Sequence, residues 1–391
     1  MASLMNAMLF IRHCPACGTD LPDQGAKQCS RCKTRYCGPA CQKKHWEDCG
    51  HDKLCRKIRK SGGAERYYAD QQYKKAVAEA VAECAAATQG QTCYICTEAV
   101  HCKTKEGLVR MCACHTTEGF VHLSCLVRQA EIAVADDMSN EEYAAKMSRW
   151  HRCRLCGQQF YGQAYFALGW ACFKAYNWGG PSPREMTLKI SGLHQLGQSL
   201  GLMGLHEDAL RVREAELALV EQLGYPEEAV AHFRTSVELC RIRAAPGTDV
   251  SATNTSKEHW GNLVKMHGEG AAVTLIEAFN LSLRLCSVPE HAHEGLKFVR
   301  EQIPIAERAL GPANETTLKL RRVLARVLVN TRSAATWDAN LREAETIFSD
   351  ILARARQVFG EQHPLTKVIQ DDQKKVSACR TLGPRPIGSI Y

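Results

Sequence analysis

Sixteen cysteine and histidine side chains of this chain fall into eight close pairs, a pattern suited to holding metal. In the first group Cys14 and Cys17 are separated by two residues, as are Cys29 and Cys32. Cys37 and Cys41 are separated by three, as are His51 and Cys55. Two ligands on one tight turn reach the same ion, because a zinc–sulfur bond is only about 2.3 Å long. Eight such ligands make two closed tetrahedral sites. A closed site leaves no position for water, so it is structural and not catalytic. The second group offers eight more ligands: Cys93 and Cys96, Cys112 and Cys114, His122 and Cys125, Cys153 and Cys156. The alternative for paired cysteines is disulfides, which need an oxidising compartment. The apolar run Met5 to Ile11 is too short for a secretory signal and is interrupted at Arg12. No run reaches the roughly 18 apolar residues of a membrane helix, and the longest candidate, Ala164 to Phe173, ends at Lys174. The expectation is therefore a soluble intracellular protein, cytoplasmic rather than nuclear, whose thiols stay reduced and bind metal.

The first group resembles the MYND zinc finger, including Tyr36-Cys37, Cys41-Gln42 and Trp46. The resemblance implies interleaved pairs. Cys14, Cys17, Cys37 and Cys41 would hold one zinc, and Cys29, Cys32, His51 and Cys55 the other. The interval from Cys41 to His51 is longer than the family's, which leaves His45 and Cys49 as alternatives for the seventh ligand. His51 is favoured because it keeps the final pair. The resemblance also implies a proline-containing peptide as ligand, with Trp46 as a contact. Nothing in the chain resembles the SET methyltransferase domain that accompanies some MYND fingers.

The second group resembles the RING-CH (RING-variant) finger. The single residue between Cys112 and Cys114, the seven residues from there to His122, Trp150 before Cys153 and Phe160-Tyr161 after Cys156 carry that likeness. It implies that Cys93, Cys96, His122 and Cys125 bind one zinc, and Cys112, Cys114, Cys153 and Cys156 the other. His115 is a competing neighbour of Cys114. The fold implied has a small apolar core, so metal binding would supply its folding free energy. The activity implied is ubiquitin ligation, in which the finger positions a charged ubiquitin-conjugating enzyme and forms no covalent bond itself. Ile95, between the first two cysteines, matches the family's contact surface, and Leu155 is a neighbouring candidate. Two positions depart from the family. Gln129 stands where it has a tryptophan, and Gly157 stands where a basic residue often bonds to ubiquitin. These departures favour the alternative, a non-enzymatic scaffold for protein–protein interaction.

These modules need elements to carry them. Between the two groups Tyr73, Ala76, Val77, Ala80, Val81 and Cys84 recur at three and four, which predicts an amphipathic helix that packs on one finger. From about Leu188 the metal pattern stops and a repeat begins. Gly224, Gly268, Gly311 and Gly360 lie 44, 43 and 49 residues apart, and Thr274, Thr317 and Thr366 each follow a glycine by six. His206-Glu207 and His293-Glu294 stand eighteen residues before Gly224 and Gly311, and Val212-Arg213-Glu214 matches Val299-Arg300-Glu301. A period of this length with two helices per unit resembles the tetratricopeptide repeat in its longer, kinesin-light-chain form. Leu196-Gly197, Leu200, Gly204 and Ala209 match its packing positions. That likeness implies an all-helical solenoid whose concave face binds peptides or protein surfaces. Pro304 interrupts one helix pattern, and Ala244 to Ser256 reads as a loop or a decayed unit.

The fold class expected is mainly α: two small cross-brace zinc modules, then a tetratricopeptide-like solenoid. The domains are 10–58, 59–90 (helical spacer), 91–162 and 185–382. Composition agrees, since 391 residues with 45% hydrophobic and 24% charged suffice for two or three globular domains. The net charge of +8 invites a nucleic-acid reading, because residues 27–60 hold 11 Lys and Arg against 3 Asp and Glu. Metal removes most of that excess. Fourteen ligand thiolates bring −14 and four zinc ions +8, which leaves the chain near +2. No DNA-reading finger spacing and no stacking platform accompanies the basic run, so nucleic acid is not an expected partner. The cysteines outside both groups, Cys49, Cys84, Cys102, Cys172, Cys240, Cys286 and Cys379, read as small hydrophobes or inert thiols.

Overall fold

The computed structural model describes residues 9–22, 25–114, 119–134, 139–244, 250–330 and 336–382. It is mainly α, with fifteen α-helices and one two-stranded sheet among the described residues. The helices fall into two compact units, parted at Gly224 and Tyr225.

The chain up to Gly224 carries both cysteine-rich modules. In the first module β1 (Lys27–Gln28) pairs antiparallel with β2 (Arg35–Tyr36), so that the hairpin turn presents Cys29 and Cys32. Helix α1 (Pro39–Glu47) starts on a proline, which gives up no needed amide at that position. Gly50, with φ +76°, supplies the left-handed residue that starts α2 (His51–Lys60). The alanine-rich α3 (Ala64–Thr88) follows, and its buried face is Ala69, Ala76, Val77, Ala80 and Cys84. The predicted amphipathic helix is therefore present and does touch the second module, where the Arg110 amide donates to Cys84 Sγ at 3.4 Å, but its main partner is another helix. That partner is α6 (Gly162–Tyr176). Ala164 through Phe173 are ten consecutive buried residues, so α6 is apolar on all sides because it is covered on all sides. Trp150, Trp170 and Phe173 are fully buried in this core. The second module contributes α4 (Leu123–Ala133) and α5 (Asn140–Met147), the latter closed by a Ser139–Glu142 capping box. The antiparallel pair α7 (Pro183–Leu202) and α8 (His206–Gln222) completes the unit, with a second capping box at Ser182 and Glu185.

The second unit is a consecutive helical array: α9 (Glu227–Ala244), α10 (Val250–His267), α11 (Ala272–Ser287), α12 (Ala292–Leu310), α13 (Glu315–Asn330), α14 (Trp337–Phe359) and α15 (Pro364–Leu382). Each packs on the next, and α11, α13 and α15 also touch. The repeated glycines have one structural role. Gly224, Gly268, Gly311 and Gly360 have φ of +67°, +82°, +94° and +79°, and each ends a helix of the series α8, α10, α12, α14. The threonine six residues on is fully buried at 274, 317 and 366, in the first turns of α11, α13 and α15. Leu275 and Leu318 beside it are also fully buried.

Two sequence expectations change here. Pro304 lies inside α12, which continues through it. It occupies the exposed face, where solvent can satisfy the carbonyl that its ring displaces. The stretch Ala244 to Ser256 reads in sequence as a loop or a decayed unit, and its described residues are helical, which rules out the loop. Helix α9 runs to Ala244 and α10 starts at Val250, while 245–249 lie outside the described residues. The polar run Ser251–Ser256 hides this helix from an apolar-periodicity reading, yet Thr253 and Ser256 are buried.

Candidate metal centres

Four tetrads gather in the two cysteine-rich modules. Cys14, Cys17, Cys37 and Cys41 form the first, and Cys29, Cys32, His51 and Cys55 the second. Cys93, Cys96, His122 and Cys125 form the third, and Cys112, Cys114, Cys153 and Cys156 the fourth. Within each, the ligand atoms lie within 4.8 Å of one another. In both modules the first and third pairs of ligands, or their counterparts, alternate with the second and fourth along the chain. This interleaving ties each module together, because neither tetrad closes on a continuous stretch.

The local structure explains the placement. Cys14–Cys17, Cys29–Cys32, Cys93–Cys96 and Cys153–Cys156 sit on tight turns, in which the amide of the fifth residue donates to the carbonyl of the first. His51 and Cys55 are one turn apart on α2 and share its buried face. His122 is the N-cap of α4, and Cys125 lies in its first turn. Cys41 comes from α1.

The spacings fit a bound ion and exclude disulfides. A tetrahedron with arms of about 2.3 Å spaces its corners at about 3.8 Å. Sulfur–sulfur distances are 3.5 Å for Cys17–Cys37 and 3.9 Å for Cys29–Cys55, and no cysteine is disulfide-bonded. His51 Nε2 lies 3.4 Å from Cys32 Sγ. His122 turns its Nδ1 to Cys96 Sγ at 3.3 Å and Cys125 Sγ at 3.8 Å. Its Nε2 faces the Ala99 carbonyl at 3.4 Å, which leaves Nδ1 free to act as the ligand.

Electrostatics point the same way. Cys17 is lowered to about 6, chiefly by its hydrogen bond with the Thr19 hydroxyl. Cys37 is pushed up to about 12 by its thiol neighbours Cys41 and Cys17. Cys55 rises to about 12 through burial and then Cys32, and Cys125 rises through burial and then Cys93. In these three clusters one thiolate thus opposes the next. A divalent cation turns that mutual repulsion into attraction, and soft sulfur with imidazole is the donor set that thiophilic ions take.

The geometry also sorts the alternatives. His51 joins the second tetrad, whereas His45 Nδ1 is 3.0 Å from the Tyr36 hydroxyl and Cys49 is exposed. His115 lies outside the described residues. Cys84, Cys172, Cys286 and Cys379 are buried, while Cys49 and Cys102 are exposed and Cys240 is half-buried. Of the contact candidates, Leu155 is 44% exposed, Trp46 is 37% exposed and Ile95 is half-buried. The Arg31 guanidinium lies 5.9 Å from the Trp46 ring centroid. Sequence reasoning missed the hydroxyls that hold the thiolates: Thr19 at 3.2 Å from Cys17 Sγ and Thr34 at 3.1 Å from Cys32 Sγ. Their signal is a threonine two residues past the second cysteine of a pair. No helix among the described residues is long and apolar enough to cross a membrane. No protein-family model matches the chain, and no curated protein matches it significantly.

Proposed function

We propose that this chain is a zinc-dependent ubiquitin ligase of RING-CH type, with four structural zinc ions. Its second module would hold a ubiquitin-conjugating enzyme, and the helical repeats or the MYND-like module would hold the substrate. The observation that carries this reading is the display of apolar residues on metal-closed turns. Leu155, 44% exposed, and Ile95, half-buried, each occupy the position just before the second cysteine of a Cys-x-x-Cys turn. A turn closed by metal presents such a residue with little conformational freedom left to lose on binding. No side chain of the finger forms a bond in the reaction, and its contribution is to position the partner. Trp46, with the Arg31 guanidinium 5.9 Å from its ring centroid, is the contact for a proline-containing peptide, and the compartment is the cytoplasm. Nucleic acid is no part of this reading.

Autoubiquitination by the purified chain with a panel of conjugating enzymes tests the proposal. Transfer is expected from the parent chain and not from the Cys93→Ser, Cys96→Ser double variant. Persistent inactivity with all four zinc ions bound would sink it. Elemental analysis should find four zinc ions per chain, and two or fewer would overturn one module.

The second reading, a non-enzymatic scaffold, is favoured by Gln129 on α4 and by Gly157. Gly157 has φ +69° at the fifth position of its turn, where Lys33, with φ +63°, shows that a long basic side chain is accommodated. Gly157→Arg should therefore raise transfer if the ligase reading holds, and should change nothing in a scaffold.

A further inference from the structure

The four metal-binding turns have a fifth relative that carries no thiol ligand. In each metal turn the first ligand's amide donates to the carbonyl five residues on, and the amide four residues on donates back to its carbonyl. These bonds run Cys14–Thr19 and Gly18–Cys14, Cys29–Thr34 and Lys33–Cys29, Cys93–Glu98 and Thr97–Cys93, Cys153–Gln158 and Gly157–Cys153. The same pair recurs at His101–Glu106, 3.0 Å, and Lys105–His101, 2.9 Å. The fifth residue is left-handed every time: Gly18, Lys33, Thr97, Lys105 and Gly157. Lys33, Thr97 and Lys105 are the only non-glycine residues with positive φ among the described residues, so the match is specific.

Where a metal turn has its two ligands, this turn has His101 and Thr104. They bond to each other: the Thr104 amide donates to His101 Nδ1 at 3.1 Å, and the Thr104 hydroxyl lies 2.9 Å from the same nitrogen. Around it, one short segment reaches the third tetrad three times. The Ala99 carbonyl faces His122 Nε2 at 3.4 Å. The His101 ring meets the His122 ring edge-on, with centroids 5.3 Å apart. The Glu106 carboxylate accepts from the Ser124 amide at 2.6 Å and the Ser124 hydroxyl at 2.9 Å. Ser124 stands between the ligands His122 and Cys125, at the start of a helix whose N-cap offers no side-chain acceptor. Glu106 supplies the missing cap from a distance.

We infer that residues 99–106 form a metal-free knuckle serving as the outer shell of the Cys93–Cys96–His122–Cys125 centre, with Glu106 as its positioning residue. The inference rests on the metal reading above, but not on ligase activity. Outer-shell partners fix the orientation of a ligand, and their loss weakens metal affinity by about 10–100-fold.

The test uses the full chain, with Glu106→Ala, Glu106→Gln and Thr104→Val, and cobalt(II) as a visible probe in competition with a chromogenic chelator. In Glu106→Ala one ion of four should bind about 10–100-fold more weakly. Its cobalt absorption should shift, and the amides of α4 should exchange faster. Glu106→Gln keeps an oxygen for the Ser124 amide and should lie closer to the parent. Thr104→Val should weaken the same ion. Four ions held with parental affinity in Glu106→Ala would overturn the inference. So would two or more ions weakened together, which would mean general collapse of the module, or a Gln variant as weak as Ala. A parent chain that takes up no metal would refute the metal reading itself, which tells the two failures apart.

Discussion

The cysteine-rich modules and the second unit hold their helices by different means. In the first, α2 and α4 carry candidate metal ligands, and loops are closed by left-handed turns at the clusters. In the second, helices are held by interdigitated leucines and alanines, with a glycine at each repeat end. Metal acts at a point and closes a loop regardless of how little apolar surface surrounds it. Apolar packing acts over an area and needs the next helix to be present. The contrast is visible in where polarity is tolerated. The first module's burial centres on cysteines with Tyr36 and Ile58, whereas α13 buries Leu318, Leu320, Val323, Leu324, Leu328 and Val329.

The comparison predicts how each unit fails. The largest effect is expected from metal removal: a strong chelator should make residues 10–62 and 91–158 exchange their amides freely while α11–α15 stay protected. Loss of protection throughout would break the distinction between the units. Next, Leu318→Ala, at a fully buried position, should destabilise the second unit by about 2–5 kcal/mol in denaturant titrations without changing metal content. Gly311→Ala places a Cβ at φ +94° and should cost about 1–3 kcal/mol in the same unit. Gly50→Ala should instead show itself in metal affinity.

A pH effect sharpens the first unit. The Glu65 carboxyl accepts from the Phe10 amide at 2.8 Å and is raised to about 7, chiefly by burial. A carboxyl whose folded value is raised contributes stability at pH below its unfolded value, near 4.5, and loses it as pH rises through 7. Relative to the parent, Glu65→Gln should therefore gain stability between pH 5 and 8, as followed by urea melts at each pH. A constant difference would count against the burial of that charge. The smallest effect is expected at Arg300→Ala, which removes a half-exposed ion pair with Glu343 and should cost about 0.2–1 kcal/mol.

Much of this was legible beforehand, for physical reasons that differ by residue. The cysteine pairs are readable because two ligands on one turn are a local property. The repeat glycines are readable because a helix end with positive φ selects glycine almost regardless of its surroundings. By contrast, α10 was hidden because its buried positions at Thr253 and Ser256 are polar. The outer-shell role of Glu106 was hidden because its partner Ser124 is eighteen residues away.

The amino-acid order by itself determined which side chains can grip metal, where helices must stop and how long the repeat is, since each depends on a few neighbouring residues. Only the folded chain decided that α3 lies along α6, that His51 and not His45 joins its tetrad, and that Pro304 is tolerated inside α12. Those outcomes depend on what the chain brings alongside from far away, and neither turn chemistry nor periodicity carries that information.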